Sequence, residues 1–164
     1  MACAPRASPR NRDGSPLFRR SVNPCARWCE CHVIGAVAYS HGPAYGAQKA
    51  GADKVAADMA KELQPHNVAA VSIWMGGLDT ERARAPIASL PREARPTARR
   101  ESPQFTGRVI SALYAANDFM HSSGRALIGA ELGARLGVTD IDGSAPRSLR
   151  DELGGPPELH SSLW

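Results

Sequence analysis

The sequence predicts an α/β fold, a small sheet of about three strands with flanking helices, and four stretches carry that prediction. Ala44 to Leu63 reads as one long helix. Val68 to Trp74 is a short apolar run, partly β-branched, with the length of a buried strand. Ser102-Pro103 opens another helix, and Ala126-Leu127-Ile128-Gly129 reads as a last short strand. Helix and strand signals alternate along the chain instead of falling into separate blocks.

In chain order, residues 1–31 show no sustained apolar period, are rich in Arg, Pro and Ser, and form an expected disordered leader. Such a composition also fits an organellar transit peptide, although no clear amphipathic helix accompanies it. His32 to Tyr39 can close a strand and enter the loop before the long helix. Ala, Lys, Gln, Glu, Met and Leu dominate that helix and lose little rotamer freedom in it. Its apolar face is expected at Ala52, Val55, Ala56, Met59 and Leu63, spaced by three and four residues. Pro65-His66-Asn67 breaks the helix before the strand, which ends in Met75-Gly76-Gly77-Leu78-Asp79-Thr80-Glu81. Glu81 to Arg100 is arginine- and proline-rich and weakly patterned, so a long irregular loop is expected. Ser102 suits an N-cap and Pro103 the first helical position, with Val109, Ile110, Leu113 and Ala116 as the apolar stripe. Glu131 to Gly137 leans helical. The folded domain is expected over residues 32–144, with an irregular tail over 145–164.

Tyr45 and Lys49 lie four apart near the start of the long helix, which puts both side chains on one face. An ammonium beside a phenol favours the phenolate, and a tyrosine tuned in that way can pass a proton to or from an alcohol or carbonyl oxygen. The plain alternative is that Tyr45 packs and Lys49 is solvated, because a Tyr-x-x-x-Lys spacing alone occurs often by chance.

The helix with Tyr45-x-x-x-Lys49, the run "ELQPHNVAAVSIW", the turn "MGGLDTE" and the stretch from "ESPQFTG" to "GVTDIDG" together resemble the short-chain dehydrogenase/reductase family, over about residues 34 to 144. The resemblance implies part of a Rossmann-like, doubly wound parallel sheet. It implies an NAD(P)-dependent oxidoreductase that interconverts small-molecule alcohols and carbonyls, with NAD or NADP as cofactor. By resemblance Tyr45 is the general acid/base and Lys49 its partner and the ribose contact. Gly76, Leu78 and Thr80 fall on positions that hold the nicotinamide carboxamide, while Met75 replaces the usual proline. The family's catalytic serine aligns with His32 or Val33, neither a serine, and Ser40 is too close to Tyr45 to replace it. The family's subunits pair through the helix that carries the Tyr and Lys, so a homo-oligomer through Tyr45–Leu63 is expected.

A glycine-rich phosphate loop after a first strand is not found in the sequence. The family's asparagine falls in the half that the resemblance does not cover. The expectation is a truncated C-terminal half of such an enzyme, inactive alone. The alternative is a non-catalytic relic or association module. The net charge of +4 comes largely from arginines in residues 6–27 and 82–100, without aromatic interleaving, so nucleic-acid binding is not expected. No apolar run reaches the ~20 residues of a membrane span, and a cytoplasmic location is expected. The four cysteines are Cys3, Cys25, Cys29 and Cys31, which argues against a disulfide framework for the body of the chain. Cys25, Cys29, Cys31 and His32 are too closely spaced to match the usual pairs of zinc ligands, and no metal site is expected.

Overall fold

The structure is a computed structural model that describes residues 27–33, 36–39, 41–95 and 99–158. Three strands form one parallel sheet in the order β1 (Arg27–Val33), β2 (Ala69–Met75), β3 (Ala126–Ile128). Arg27 lies opposite Ala69 and Val33 opposite Met75, while Ser72 and Trp74 face Ala126 and Ile128 on the other side. A parallel pair needs a crossover. Helix α1 (Pro43–Leu63) joins β1 to β2, and α3 (Pro103–Ala115) lies in the connection from β2 to β3. A short α2 (Glu81–Ala88), α4 (Gly129–Leu136) and a single turn α5 (Arg150–Leu153) complete the fold. The sheet and its helices bear out the expected α/β class with a partial doubly wound sheet. No helix of the described residues is long and apolar enough to cross a membrane.

Every residue of β2 is buried, as its mostly apolar run, broken only by Ser72, requires of a central strand covered on both faces. Ala69, Val71, Ile73 and Met75 pack with Phe105, Val109 and Leu113 of α3 and Leu132 of α4. Glycine at 133 lets α4 approach α3, because a Cβ there would stand 2.7 Å from the Phe105 ring. The opposite face of β2 carries Ser72 and Trp74 toward α1.

Four sequence expectations are corrected. The first strand is Arg27–Val33; it closes inside His32–Tyr39 as expected, but its residues 27–31 lie inside the segment expected as a leader. Cys29 and Cys31 alternate with the polar Glu30 and His32, a pattern hidden by the surrounding arginines and prolines. The buried face of α1 is Ala52, Ala56, Ala57 and Ala60, while Val55 is 47% exposed. The face is turned because Asp53 is directed at β2: its carboxylate accepts from the Ser72 hydroxyl at 2.6 Å and the Trp74 indole at 2.9 Å. Residues 81–88 are helix and not loop. Thr80 caps α2 by accepting from the Ala83 amide, and Glu81 lies in its first turn, where an acid suits the helix dipole. Finally, Ala116 caps α3 and lies beyond it.

Replacing Asp53 by Ala removes the shared acceptor of two buried donors. We expect Asp53→Ala to lower stability by about 1–3 kcal/mol, read as a shifted urea midpoint at constant m-value.

Candidate active site

Parallel strands put their C-terminal ends on one side of the sheet, and a crossover helix starts on that same side. The start of α1 and the turn after β2 therefore share one end of the molecule. Tyr45 and Lys49 lie in the first two turns of α1, both half-buried. The Lys49 Nζ stands over the face of the Tyr45 ring, 5.2 Å from its centroid, within cation–π range. The His41 ring stands beside Tyr45, with centroids 4.9 Å apart. His41 and Gly42 both have positive φ, 54° and 91°, and this bend delivers the chain into Pro43 at the helix start.

Gly76, Gly77 and Leu78 follow β2 directly. The Gly76 amide donates to Glu101 Oε2 at 3.0 Å, and a Cβ on Gly76 would lie 2.5 Å from Glu101 Oε1. Glycine is required there by the closeness of a carboxylate. Leu78 and Glu101 form a parallel bridge, in which Glu101 N donates to the Gly77 carbonyl and Asp79 N to the Glu101 carbonyl. The bridge uses the groups that flank Leu78, so Leu78's own N–H and C=O point away from it; the carbonyl accepts from Arg100 Nη1 at 3.2 Å. Thr80 Oγ1 accepts the Ala83 amide as the α2 cap. Arg84 forks onto Asp79 and holds its carboxyl below the usual range through that hydrogen bond.

The structure thus brings Tyr45 with Lys49, and Gly76 with Leu78 and Thr80, to one sheet end. It gives Thr80 a helix-capping contact as well. His32 and Val33 are the last residues of β1, opposite Trp74 and Met75. Ser40 and Cys25 lie outside the described residues.

Glu101 was not anticipated from sequence. It precedes the recognised Ser102-Pro103 helix start, and a lone acid before a cap carries no signal of its own. Only 5% of it is exposed, and burial pushes its carboxyl up to about 7. The Gly76 amide opposes that rise and the nearby charge of Asp140 adds to it. Asp140 shifts the other way. Burial would raise it, but the Ser102 hydroxyl and amide and the Ile141 amide outweigh burial, with Arg99 adding to them, and hold it below the usual range.

A family model described as short chain dehydrogenase matches residues 31–88, which span the Tyr45–Lys49 helix, β2 and the turn after it. Over that stretch the chain is similar to the short-chain dehydrogenases. It is 35% identical over 107 residues to dehydrogenase/reductase SDR family member 1 of Mus musculus, covering 60% of this chain and 34% of that protein. The protein of the same name from Homo sapiens is 32% identical over 127 residues, covering 73% and 40%. The chain therefore matches well under half the length of either relative. Among solved structures, acetoin dehydrogenase YohF from Salmonella typhimurium aligns with a TM-score of 0.47 at 18% identity, over 65% of this chain and 44% of that one.

The folded-state carboxyl of Glu101 lies above its ordinary value of 4.5. As pH rises from that value toward 7, the unfolded chain releases this proton first, so the group's contribution to stability falls across that window. Glu101→Gln keeps an acceptor for the Gly76 amide and carries no charge. We expect the variant to be equal to or less stable than the parent at pH 4.5 and more stable at pH 8, with a gain on the order of 1–3 kcal/mol. Urea unfolding at the two pH values checks this; a difference that does not change with pH would contradict it.

Proposed function

We propose that this chain carries the catalytic half-site of an NAD(P)-dependent oxidoreductase of the short-chain type, acting on a small-molecule alcohol or carbonyl. The observation that carries the reading is the Lys49 ammonium held 5.2 Å from the Tyr45 ring centroid, on the helix start that shares a sheet end with Gly76–Thr80.

In this reading Tyr45 Oη moves the proton to or from the substrate oxygen. Lys49 sets the positive potential at the ring and reaches past it toward the ribose side of the site. The glycines at 76 and 77 leave room for close backbone approach. The outward N–H of Leu78 suits the carbonyl oxygen of a carboxamide, and Thr80 stands beside it. The residues present fit the nicotinamide end of such a cofactor, which when bound supplies the hydride acceptor or donor. The pyrophosphate end calls for a glycine-rich loop and helix N-terminus of the kind absent from this sequence. Completion of the site by further chain is part of the proposal.

A second reading is favoured by one observation. Among the described residues β1 pairs only with β2, so its other edge presents unpaired backbone groups. Such an edge is a template for another strand. An association module that pairs through this edge, or through α1 with a second copy, is the non-catalytic alternative.

Titrating the purified chain with NADH and NADPH, read by nicotinamide fluorescence, tests the first reading. We expect saturable binding that weakens at least tenfold in Lys49→Ala, with Tyr45→Phe retaining binding. No binding at millimolar cofactor by a folded sample, together with a concentration-dependent dimer in sedimentation, would favour the second.

A further inference from the structure

Two cavities meet at the C-terminal end of β2. One, of about 420 Å³, lies between Gly76–Gly77 and the tail at Pro146 and Leu149. The other, of about 540 Å³, lies between α2 and the turn at Asp140–Asp142. Arg99 and Arg100 line both.

The charges of the smaller cavity do not balance. Arg99, Arg100 and Arg147 line it, and Glu101 is the one acid among its lining residues. Glu101 is turned onto the Gly76 amide, where burial works against its charge. Two of the arginines are already paired with acids beyond the cavity lining, Arg99 with Asp142 and Arg147 with Glu152, and both are exposed. Arg100 differs. It is half-buried, makes no ion pair among the described residues, acts on Asp79 only through space while Arg84 holds that carboxylate, and donates from Nη1 to a neutral acceptor, the Leu78 carbonyl. Its guanidinium lies against Gly77, where an added Cβ would stand 3.5 Å from Nη1. A guanidinium has five N–H donors in a planar fork. A partly buried cation with spare donors at the wall of a cavity is best satisfied by a bidentate oxyanion.

We propose that Arg100 anchors a binding site for the oxyanion group of a small molecule, a carboxylate in the first instance, in the cavity above Gly76–Gly77. Pro146 and Leu149 supply apolar wall for the body of such a ligand. Arg99 and Arg147 sit at its rim and attract the anion without gripping it. The site deepens the oxidoreductase reading and rests on it for one point only, that the ligand is the substrate. That substrate is then an alcohol or carbonyl compound that also bears a carboxylate. A phosphorylated ligand offers the same oxyanion chemistry, and the test separates the two.

Isothermal titration of the full chain at low ionic strength, without cofactor, uses benzoate and inorganic phosphate as separate probes. We expect one saturable site per chain for benzoate. Arg100→Gln is expected to weaken it at least tenfold, Arg100→Lys to an intermediate degree, and Arg147→Gln only two- to threefold. Arg108→Gln, an exposed change on α3, is expected to leave it unaltered. Tighter binding of phosphate than of benzoate, with the same Arg100 dependence, supports the oxyanion site and overturns the carboxylate assignment. Absence of binding, or equal loss in Arg108→Gln and Arg100→Gln from folded samples, overturns the site. Thermal unfolding of each variant establishes folding, and Arg100→Lys keeps the charge should Arg100→Gln fail to fold. The probes contain no nicotinamide, so failure here is separable from failure of NADH to bind.

Discussion

The Asp53 carboxylate joins α1 to the central strand, and the placement of Tyr45 and Lys49 depends on it. Ser72 and Trp74 point to the face of β2 that α1 must cover, and both bring hydrogen-bond donors into a buried interface. A single acceptor on α1 satisfies both. It lies four residues after Lys49 and eight after Tyr45, close to the same helical line. Docking Asp53 onto β2 therefore fixes the rotation of the helix about its axis. The alanines at 52, 56, 57 and 60 let the helix come close enough for that bond. Small side chains contribute little apolar area, so the polar bridge specifies an orientation that packing alone would leave loose.

A second set of contacts fixes the sheet end on the opposite side. Ser102 accepts the Phe105 amide as the α3 cap, while its hydroxyl and amide donate to Asp140. One residue earlier, Glu101 holds the Gly76 amide and bridges Leu78. Glu101 and Ser102 thereby tie together the turn after β2, the start of α3 and the turn after α4. Farther along, Arg150 forks onto Glu131 at 2.8 and 2.7 Å, and Ser148 joins the same carboxylate, which secures the tail to α4. Glu131 is held below the usual carboxylate range by the Arg150 hydrogen bond. These exposed pairs add little stability one by one. Their effect is to place Pro146, Arg147 and Leu149 as a wall of the cavity over Gly76.

Much of this was legible from the chain. Helix α1 began one residue earlier than expected and ended at Leu63, where Pro65 stops it. Ser102 and Pro103 took their cap and first-turn positions. Strands β2 and β3 lay within a residue of their expected bounds, because a mostly apolar run of strand length needs no partner to be read. The start of strand β1 was missed because an edge strand of mixed polarity resembles a loop. Helix α2 was missed because its arginines and Pro86 obscure a pattern that starts from the Thr80 cap.

What the sequence determined by itself is the order of elements, the Tyr-x-x-x-Lys pair and the glycine turn after β2. Each is local, set by residues within about two helical turns of one another. What only the tertiary structure decided is non-local. Asp53 gained its role from residues 19 and 21 positions away, Glu101 from Gly76 at 25, and Ser102 from Asp140 at 38. Arg100 makes no ion pair among the described residues because folding set Asp142 against Arg99 and Asp79 against Arg84, with Arg100 acting on Asp79 only through space. Hydrogen bonds and burial across such separations leave no periodic trace in the chain, and those contacts shape the cavity beside the predicted site.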